Sequence, residues 1–181
     1  MTPFPILSAI ILTPVVALAL VILTPARSAQ TVRIISALAG LVTVGLALAV
    51  WHYYDLQLGG FQFVEDRPWV EGFGIRYHVG VDGIGVVLVM LNAIVFFTGV
   101  LSMWTLTDRV KEYFAFMLTL VIGVFGVFTS IDLFFFFFFY EVAVLPMYPL
   151  IAIWGSTCKE YSAMKLTLFL MAGSALLFPA L

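Results

Sequence analysis

The segment DLFFFFFFYEVAVLPMYPLI, residues 132–151, decides the fold and frames the functional question. It is apolar enough to cross a bilayer as a helix, for which about 20 residues suffice. Glu141 lies near its middle, on the order of 12–20 Å from either end of a helix over residues 133–154. A charge at the bilayer centre costs roughly 2.5–3.5 kcal/mol on insertion scales, so a membrane helix that keeps a carboxylate usually uses it.

The composition of the chain is that of an integral membrane protein. Of its 181 residues, 64% are hydrophobic and 10% are charged, and the mean hydropathy is +1.17. The apolar residues form six long runs instead of the short alternating segments of a β-barrel, so we predict an all-α fold with six transmembrane helices. The runs cover residues 4–23, 34–51, 84–104, 113–130, 133–154 and about 162–181.

Several functional classes are excluded by residue counts. The net charge of −2 leaves no basic stripe for nucleic acid. Cys158 is the only cysteine, and the two histidines, His52 and His78, are isolated from each other. We therefore expect no disulfide, no metal site, no cofactor and no redox centre on this chain.

The connector between the second and third runs, residues 52–82, has a pattern of its own. FQFVE alternates apolar and polar residues after Gly59 and Gly60, which predicts a small hairpin on the membrane surface. Asp82 stands where it would cap the third helix, and Asp132 where it would cap the fifth. For both aspartates we prefer a capping role to an ion-binding or relay role.

The basic residues predict the orientation. Alternate connectors put six of them on one side and two, Arg67 and Arg76, on the other. The richer side should be cytoplasmic, or matrix or stroma, which leaves the N-terminus and the hairpin outside. The six are Arg27, Arg33, Arg109, Lys111, Lys159 and Lys165.

The two ends of the sequence also carry expectations. The first run has no basic segment before it and no polar cleavage segment after it, so we interpret it as a retained span and not as a signal peptide. The sixth run is still apolar at Leu181, so we expect further spans beyond it.

Glu141 is the main candidate for chemistry. Its helix supplies no cation, so its protonation state depends on a partner from elsewhere. A carboxylate held between desolvation and a nearby cation can accept and release a proton near neutral pH. The alternative is a neutral Glu141 that hydrogen-bonds a neighbouring helix for packing.

Three further residues extend this hypothesis. Pro146 lacks an N–H for the carbonyl of Val142, which predicts a kink and a free acceptor beside Glu141. Tyr148 follows Glu141 by seven residues and would share its helix face, although it is equally well explained as an interfacial aromatic. Lys165, expected in the first turn of the sixth helix, would either point into the bundle as a relay member or snorkel outward.

Three separated motifs then carry a resemblance to a known family. They are GIRYHVGVDGIG at residues 74–85, DLFFFFFFYEVAVLPMYPLIAIWG at 132–155 and YSAMKLTLFLMAGS at 161–174. The chain resembles the antiporter-like M subunit of NADH:quinone oxidoreductase, respiratory complex I, over nearly its whole length. The resemblance implies the start of a fourteen-helix antiporter-like fold in the bacterial inner membrane.

The resemblance also implies roles and boundaries. Glu141 matches the family's essential glutamate on the fifth span, and Lys165 matches a lysine near the start of the sixth. Residues 1–112 would be three N-terminal helices with the outer connector, and residues 113–181 the start of the proton-channel bundle. The implied partners are other membrane subunits, including neighbouring antiporter-like ones, the lipid bilayer, protons and internal water.

Competing hypotheses remain at this point. The first is a proton-translocating subunit of a complex I-type assembly, and the second is a cation/proton antiporter subunit of the multisubunit Mrp type or a subunit of a related hydrogenase. VDGI and FYEVAVLPMY favour the first. A purely structural scaffold is the third, and it leaves the cost of burying Glu141 unexplained.

Overall fold

Seven helices and one hairpin make up the fold in the described residues. The computed structural model describes residues 5–25, 27–70 and 75–177. The helices are α1 (Ile6–Leu23), α2 (Ala29–Tyr53), α3 (Gly83–Ser102), α4 (Val110–Thr129), α5 (Leu133–Val144), α6 (Met147–Trp154) and α7 (Lys159–Leu177), and the strands are β1 (Gln62–Val70) and β2 (Ile75–Val81).

The helices match the predicted membrane spans. Five segments of the described chain are long and apolar enough to cross a membrane, with α5 and α6 together forming the fifth. The predicted all-α membrane fold is thereby confirmed. The predicted sixth run corresponds to α7, which is not among these five segments. Residues 178–181 of the sixth run and residue 4 of the first run lie outside the described residues.

Several helices begin earlier than hydropathy indicates. α2 starts at Ala29, five residues before the predicted position, so Arg33 lies inside the helix and not in the preceding turn. The early residues are polar but compatible with a helix, and hydropathy therefore misses them. Arg33 Nη2 donates to the carbonyl of Leu106 at 2.6 Å, which ties the start of α2 to the α3–α4 connector.

The helix ends alternate between two sides of the bundle, as the predicted connectors require. At one end, Lys111 Nζ donates to the carbonyls of Ile22 and Thr24 at 2.7 and 2.8 Å, and so joins α4 to the end of α1. Lys159 Nζ donates to the carbonyl of Ile153, 2.8 Å away, at the end of α6. Cations at helix C-termini are favoured by the helix dipole.

The predicted hairpin forms the opposite end. β1 and β2 pair antiparallel, and β2 continues into a contact with the α4–α5 turn, where the Ile131 N–H donates to the carbonyl of His78 at 3.0 Å. The predicted caps are present: Asp82 Oδ1 accepts from the Gly85 N–H, and Asp132 accepts from the N–H groups of the first turn of α5. The hairpin therefore holds the starts of α3 and α5 together.

A carboxylate on β1 caps the first helix. Glu65 Oε1 accepts from the N–H groups of Leu7 and Ser8 at 3.1 and 3.3 Å, and Oε2 accepts from the Ser8 hydroxyl. The Ser8 hydroxyl also lies 2.9 Å from the hydroxyl of Tyr77. Burial raises the pKa of Tyr77, so this hydroxyl stays neutral beside the carboxylate. α1 thus has a negative charge at its start and Lys111 at its end, matching its dipole.

Glu65→Ala is expected to loosen the hairpin from α1. The change leaves the first N–H groups of α1 unbonded and removes charge-assisted bonds, each worth about 1.5–3 kcal/mol. Hydrogen exchange in residues 62–70 should rise. Asp66→Ala is the matched control, since it removes an exposed ion pair with Arg76, worth about 0.2–1 kcal/mol. Equal exchange in the two variants would contradict the capping role.

Candidate functional site

The site is built where α4 and α5 approach closely through two glycines. A Cβ on Gly123 would lie 2.4 Å from the backbone nitrogen of Ala143, and a Cβ on Gly126 would lie 2.0 Å from the Phe139 ring. Glycine lets neighbouring membrane helices pack at short distance. Phe139 and Ala143 are therefore the residues of α5 that face α4.

This packing fixes the direction of Glu141. It lies two residues from both Phe139 and Ala143, and two residues correspond to about 200° around a helix. The carboxylate side chain therefore lies on the face of α5 that points away from α4. It is half-buried, and within the described part of the chain it makes no hydrogen bond and no ion pair.

The phenylalanine run has two different sides. Phe135 and Phe139 are buried, whereas Phe134 and Phe138 are 47% and 45% exposed. Phe135 also meets the Tyr77 ring edge to face, with 5.6 Å between centroids, which links the run to the hairpin. Aromatic side chains thus pack the bundle side of α5 near its start, and the side that carries Phe134 and Phe138 is exposed within the described residues.

The helix is interrupted shortly after Glu141, where Pro146 predicted a kink. α5 ends at Val144 and α6 begins at Met147. Pro146 and Pro149 have no N–H, so the carbonyls of Val142 and Leu145 cannot receive the usual helical bond. Two carbonyls within about one turn of Glu141 therefore lack their usual helical donor.

Tyr148 does not sit on a continuous helix with Glu141. The expectation of a shared face assumed an unbroken α-helix, and the interruption at residues 145–146 removes that basis. The Tyr148 side chain is 45% exposed, and its hydroxyl has no hydrogen-bond partner among the residues described here.

Lys165 lies on the face of α7 that is exposed within the described residues. Because α7 starts at Lys159, Lys165 lies in the second turn and not in the first as predicted. Its side chain is exposed, with Nζ 6.0 Å from the centroid of the Tyr161 ring. No ion pair joins Lys165 to Glu141 among the described residues.

The less exposed residues of α7 form a stripe on a different face from Lys165. They recur every three or four residues, the spacing of one helix face. α7 packs against both α5 and α6, and this stripe is the face that does so. Its members are Lys159, Ala163, Thr167, Leu170 and Ser174.

Sequence reasoning missed two features of this site. Gly123 and Gly126 stand three residues apart, and small residues at such spacing signal close helix packing in membranes. Thr167 gave no signal, because a lone threonine in an apolar run is ordinary. No group of three His, Cys, Asp or Glu side chains that could hold a metal ion is found among the described residues.

Comparisons with known proteins bear directly on this site. No protein-family model matches the chain. NAD(P)H-quinone oxidoreductase chain 4 3 of Picosynechococcus sp. is 37% identical over 178 residues, which are 98% of this chain and 32% of the relative. The chloroplastic chain 4 of Chara vulgaris is 36% identical over 188 residues, covering 99% of this chain and 37% of the relative. This chain is a homologue of NAD(P)H-quinone oxidoreductase chain 4.

The three motifs indicated a resemblance to the antiporter-like M subunit of complex I, and these relatives confirm it over nearly the whole chain. That length is about a third of the curated chain 4 relatives that it matches. A chain 4 of Nostoc sp. is similar to this chain over the same length, at 34% identity over 98% of this chain.

A solved structure shares the fold. It belongs to the membrane-bound sulfane sulfur reductase, an archaeal respiratory membrane complex, and matches with a TM-score of 0.73 over 95% of this chain and 35% of that one. The sequence identity is 16%, so the likeness concerns the fold alone. The chain 4 homologue is an integral membrane protein by this fold, by its five apolar segments and by its relatives.

Proposed function

We propose that this chain is a proton-translocating membrane subunit of a complex I-type NADH:quinone oxidoreductase. Protons move through a relay of Glu141, Lys165 and internal water, with Tyr148 as a further candidate member. The relay is coupled to quinone reduction elsewhere in the complex, and this chain itself carries no redox centre. Its partners are other membrane subunits, among them neighbouring antiporter-like ones.

The observation that carries the proposal is the placement of Glu141. Its carboxylate stands within a membrane-spanning segment, about one turn from two carbonyls to which Pro146 and Pro149 cannot donate, on the face of α5 that points away from α4. A packing role would be supported by a hydrogen bond to a neighbouring helix, and the described residues provide none. Ionisable groups at such positions usually serve transport of protons or ions.

The relatives favour this function over its alternatives. Chain 4 relatives at 33–37% identity are named as subunits of a quinone oxidoreductase, whereas the sulfane sulfur reductase complex matches by fold alone. An antiporter of the Mrp type or a hydrogenase subunit would use the same buried glutamate. A sodium-dependent transport activity in the purified complex would favour the antiporter.

The test compares Glu141→Gln with Glu112→Gln in the full-length subunit within its complex. Both variants remove one carboxylate, but Glu112 is exposed in the first turn of α4 and paired with Arg109. Proton uptake into vesicles is measured against quinone reduction. The proposal expects loss of uptake only in the Glu141 variant.

Lys165→Ala is expected to cause a partial defect, smaller than that of Glu141→Gln. The amine is exposed on α7 near the end that carries most of the basic residues, a position suited to feeding protons inward and not to the central step. Lys165→Arg keeps the charge and should retain more activity. Proton uptake equal to wild type in Lys165→Ala would remove Lys165 from the relay.

The orientation gives a separate prediction. We propose that the end with six basic residues faces the negative side of the membrane, probed through the native, exposed Cys158. An impermeant maleimide should label Cys158 only from that side. In a Cys158→Ser background, Leu58→Cys, at a position 77% exposed beside the hairpin, should be labelled only from the other side. The reverse pattern would invert the proposed topology in the bacterial inner membrane.

A further inference from the structure

The second half of the fifth span, α6, has no core anchor of its own. None of its eight residues is fully buried among the residues that the structure describes. In α5, by contrast, Phe135, Phe139 and Val144 are buried. The position of α6 therefore depends on a few specific contacts more than on core packing.

One such contact is made by a tryptophan at the end of α6. Trp154 Nε1 donates to the carbonyl of Asp108, in the α3–α4 connector, at 3.0 Å. The Trp154 ring also meets the Tyr113 ring edge to face, with 5.3 Å between the centroids. Aromatic pairs favour this arrangement. A single side chain thus attaches the end of α6 to the connector and to the first turn of α4.

The fifth span is thereby held against α4 on both sides of its kink. On the α5 side, Gly123 packs closely against Ala143. On the α6 side, Tyr113 packs against Trp154. The two contacts are eleven residues apart on the fifth span and ten apart on α4, and Pro146 lies between them. The angle of the kink at Pro146 is therefore set by both contacts together.

This angle matters because the kink separates two members of the proposed relay. Glu141 belongs to α5, which is packed against α4, whereas Tyr148 belongs to α6. Pro146 cannot donate to the carbonyl of Val142, so the helix lacks a hydrogen bond that would hold its two halves at a fixed angle. A change of angle at Pro146 changes the distance between Tyr148 and Glu141.

We propose that Trp154 is a positioning residue for proton transfer at Glu141, because its indole holds α6 at the angle that the relay requires. The functional part of this inference rests on the proposed proton path. Trp154 follows Glu141 by thirteen residues, about 20 Å along a helix, so it acts through the position of α6 and not by contact.

Three variants of the full-length subunit in its complex separate the two contacts. Trp154→Phe keeps a ring beside Tyr113 and loses the N–H donor, whereas Trp154→Ala loses both. Trp104→Phe is the matched control, because it makes the same change in the α3–α4 connector. The Trp104 indole has no hydrogen-bond partner among the described residues.

The test measures hydrogen exchange, proton uptake and the carboxyl C=O infrared band that is absent in Glu141→Gln. Trp154→Phe should raise exchange in residues 147–154 by about two- to tenfold, the factor that one lost hydrogen bond produces. Exchange in residues 133–144 should not change. Uptake should fall, and the Glu141 band should shift in frequency, which a loss of packing remote from Glu141 would not cause. Trp154→Ala should show larger effects, and Trp104→Phe none.

The possible failures are distinguishable. Exchange of α6 at the wild-type rate in both Trp154 variants would overturn the positioning role, whatever Glu141→Gln does. Faster exchange with an unshifted Glu141 band would mean that Trp154 only attaches α6, and it would overturn the positioning role as well. Equal changes in Trp154→Phe and Trp104→Phe would overturn the assignment to Trp154. Normal uptake in Glu141→Gln would instead overturn the proposed function.

Discussion

Glu141→Gln is expected to abolish or strongly reduce proton translocation while the complex still assembles. Gln keeps the size of the side chain and its hydrogen-bonding oxygen but loses the titratable group. A positioned proton carrier contributes about 100-fold or more, so uptake should fall by at least that factor. Glu141→Asp should retain part of the activity, because the displacement of one methylene can be bridged by water.

The prediction for Glu141→Gln has a control variant and an outcome that would contradict it. Glu112→Gln removes a carboxylate that pairs with Arg109 on the surface, and it should leave uptake unchanged. If Glu141→Gln pumped with the wild-type ratio of protons to electrons, Glu141 would be a packing residue. The scaffold hypothesis would then be the better one.

Gly126→Ala is expected to have the largest effect on stability. The new Cβ would stand 2.0 Å from Cγ of the Phe139 ring, and all three of its nearest atoms belong to that ring. The ring must leave its place between α4 and α5, at a cost of about 1–3 kcal/mol or more. The amount of assembled complex and its thermal stability in detergent should both fall.

The chain offers a matched control and a rescue. Gly45→Ala adds the same methyl group where nothing lies within 4 Å, so it should leave assembly unchanged. Phe139→Leu should restore part of the stability of Gly126→Ala, because the smaller side chain makes room for the methyl group. Equal stability of Gly126→Ala and Gly45→Ala would contradict the close packing of α4 and α5.

Much of the fold was predictable because the membrane imposes a simple rule. Every backbone group within the bilayer must be bonded inside the helix, so long apolar runs have to become helices. The hairpin and the caps at Asp82 and Asp132 also followed from local patterns. Hydropathy predicted the start of α2 five residues after its observed start at Ala29, because the polar residues before Ile34 are helical without being apolar.

The candidate site was predictable only in part. The sequence indicated Glu141 and the interruption at Pro146, since both are local chemical features. It did not indicate the direction of Glu141, which depends on Gly123 and Gly126 of another helix. The sequence also did not indicate which face of α7 packs against α5 and α6. That face determines the exposure of Lys165 and the burial of the Thr167 hydroxyl.

The central claim is that Glu141 changes its protonation state during turnover. The most direct measurement is an infrared difference spectrum of the working complex in the region of the carboxylic C=O stretch, for wild type, Glu141→Gln and Glu112→Gln. We expect a carboxyl band that is present in wild type and Glu112→Gln and absent in Glu141→Gln. A spectrum of Glu141→Gln that retained every carboxyl band of the wild type would contradict a proton-carrying role for Glu141.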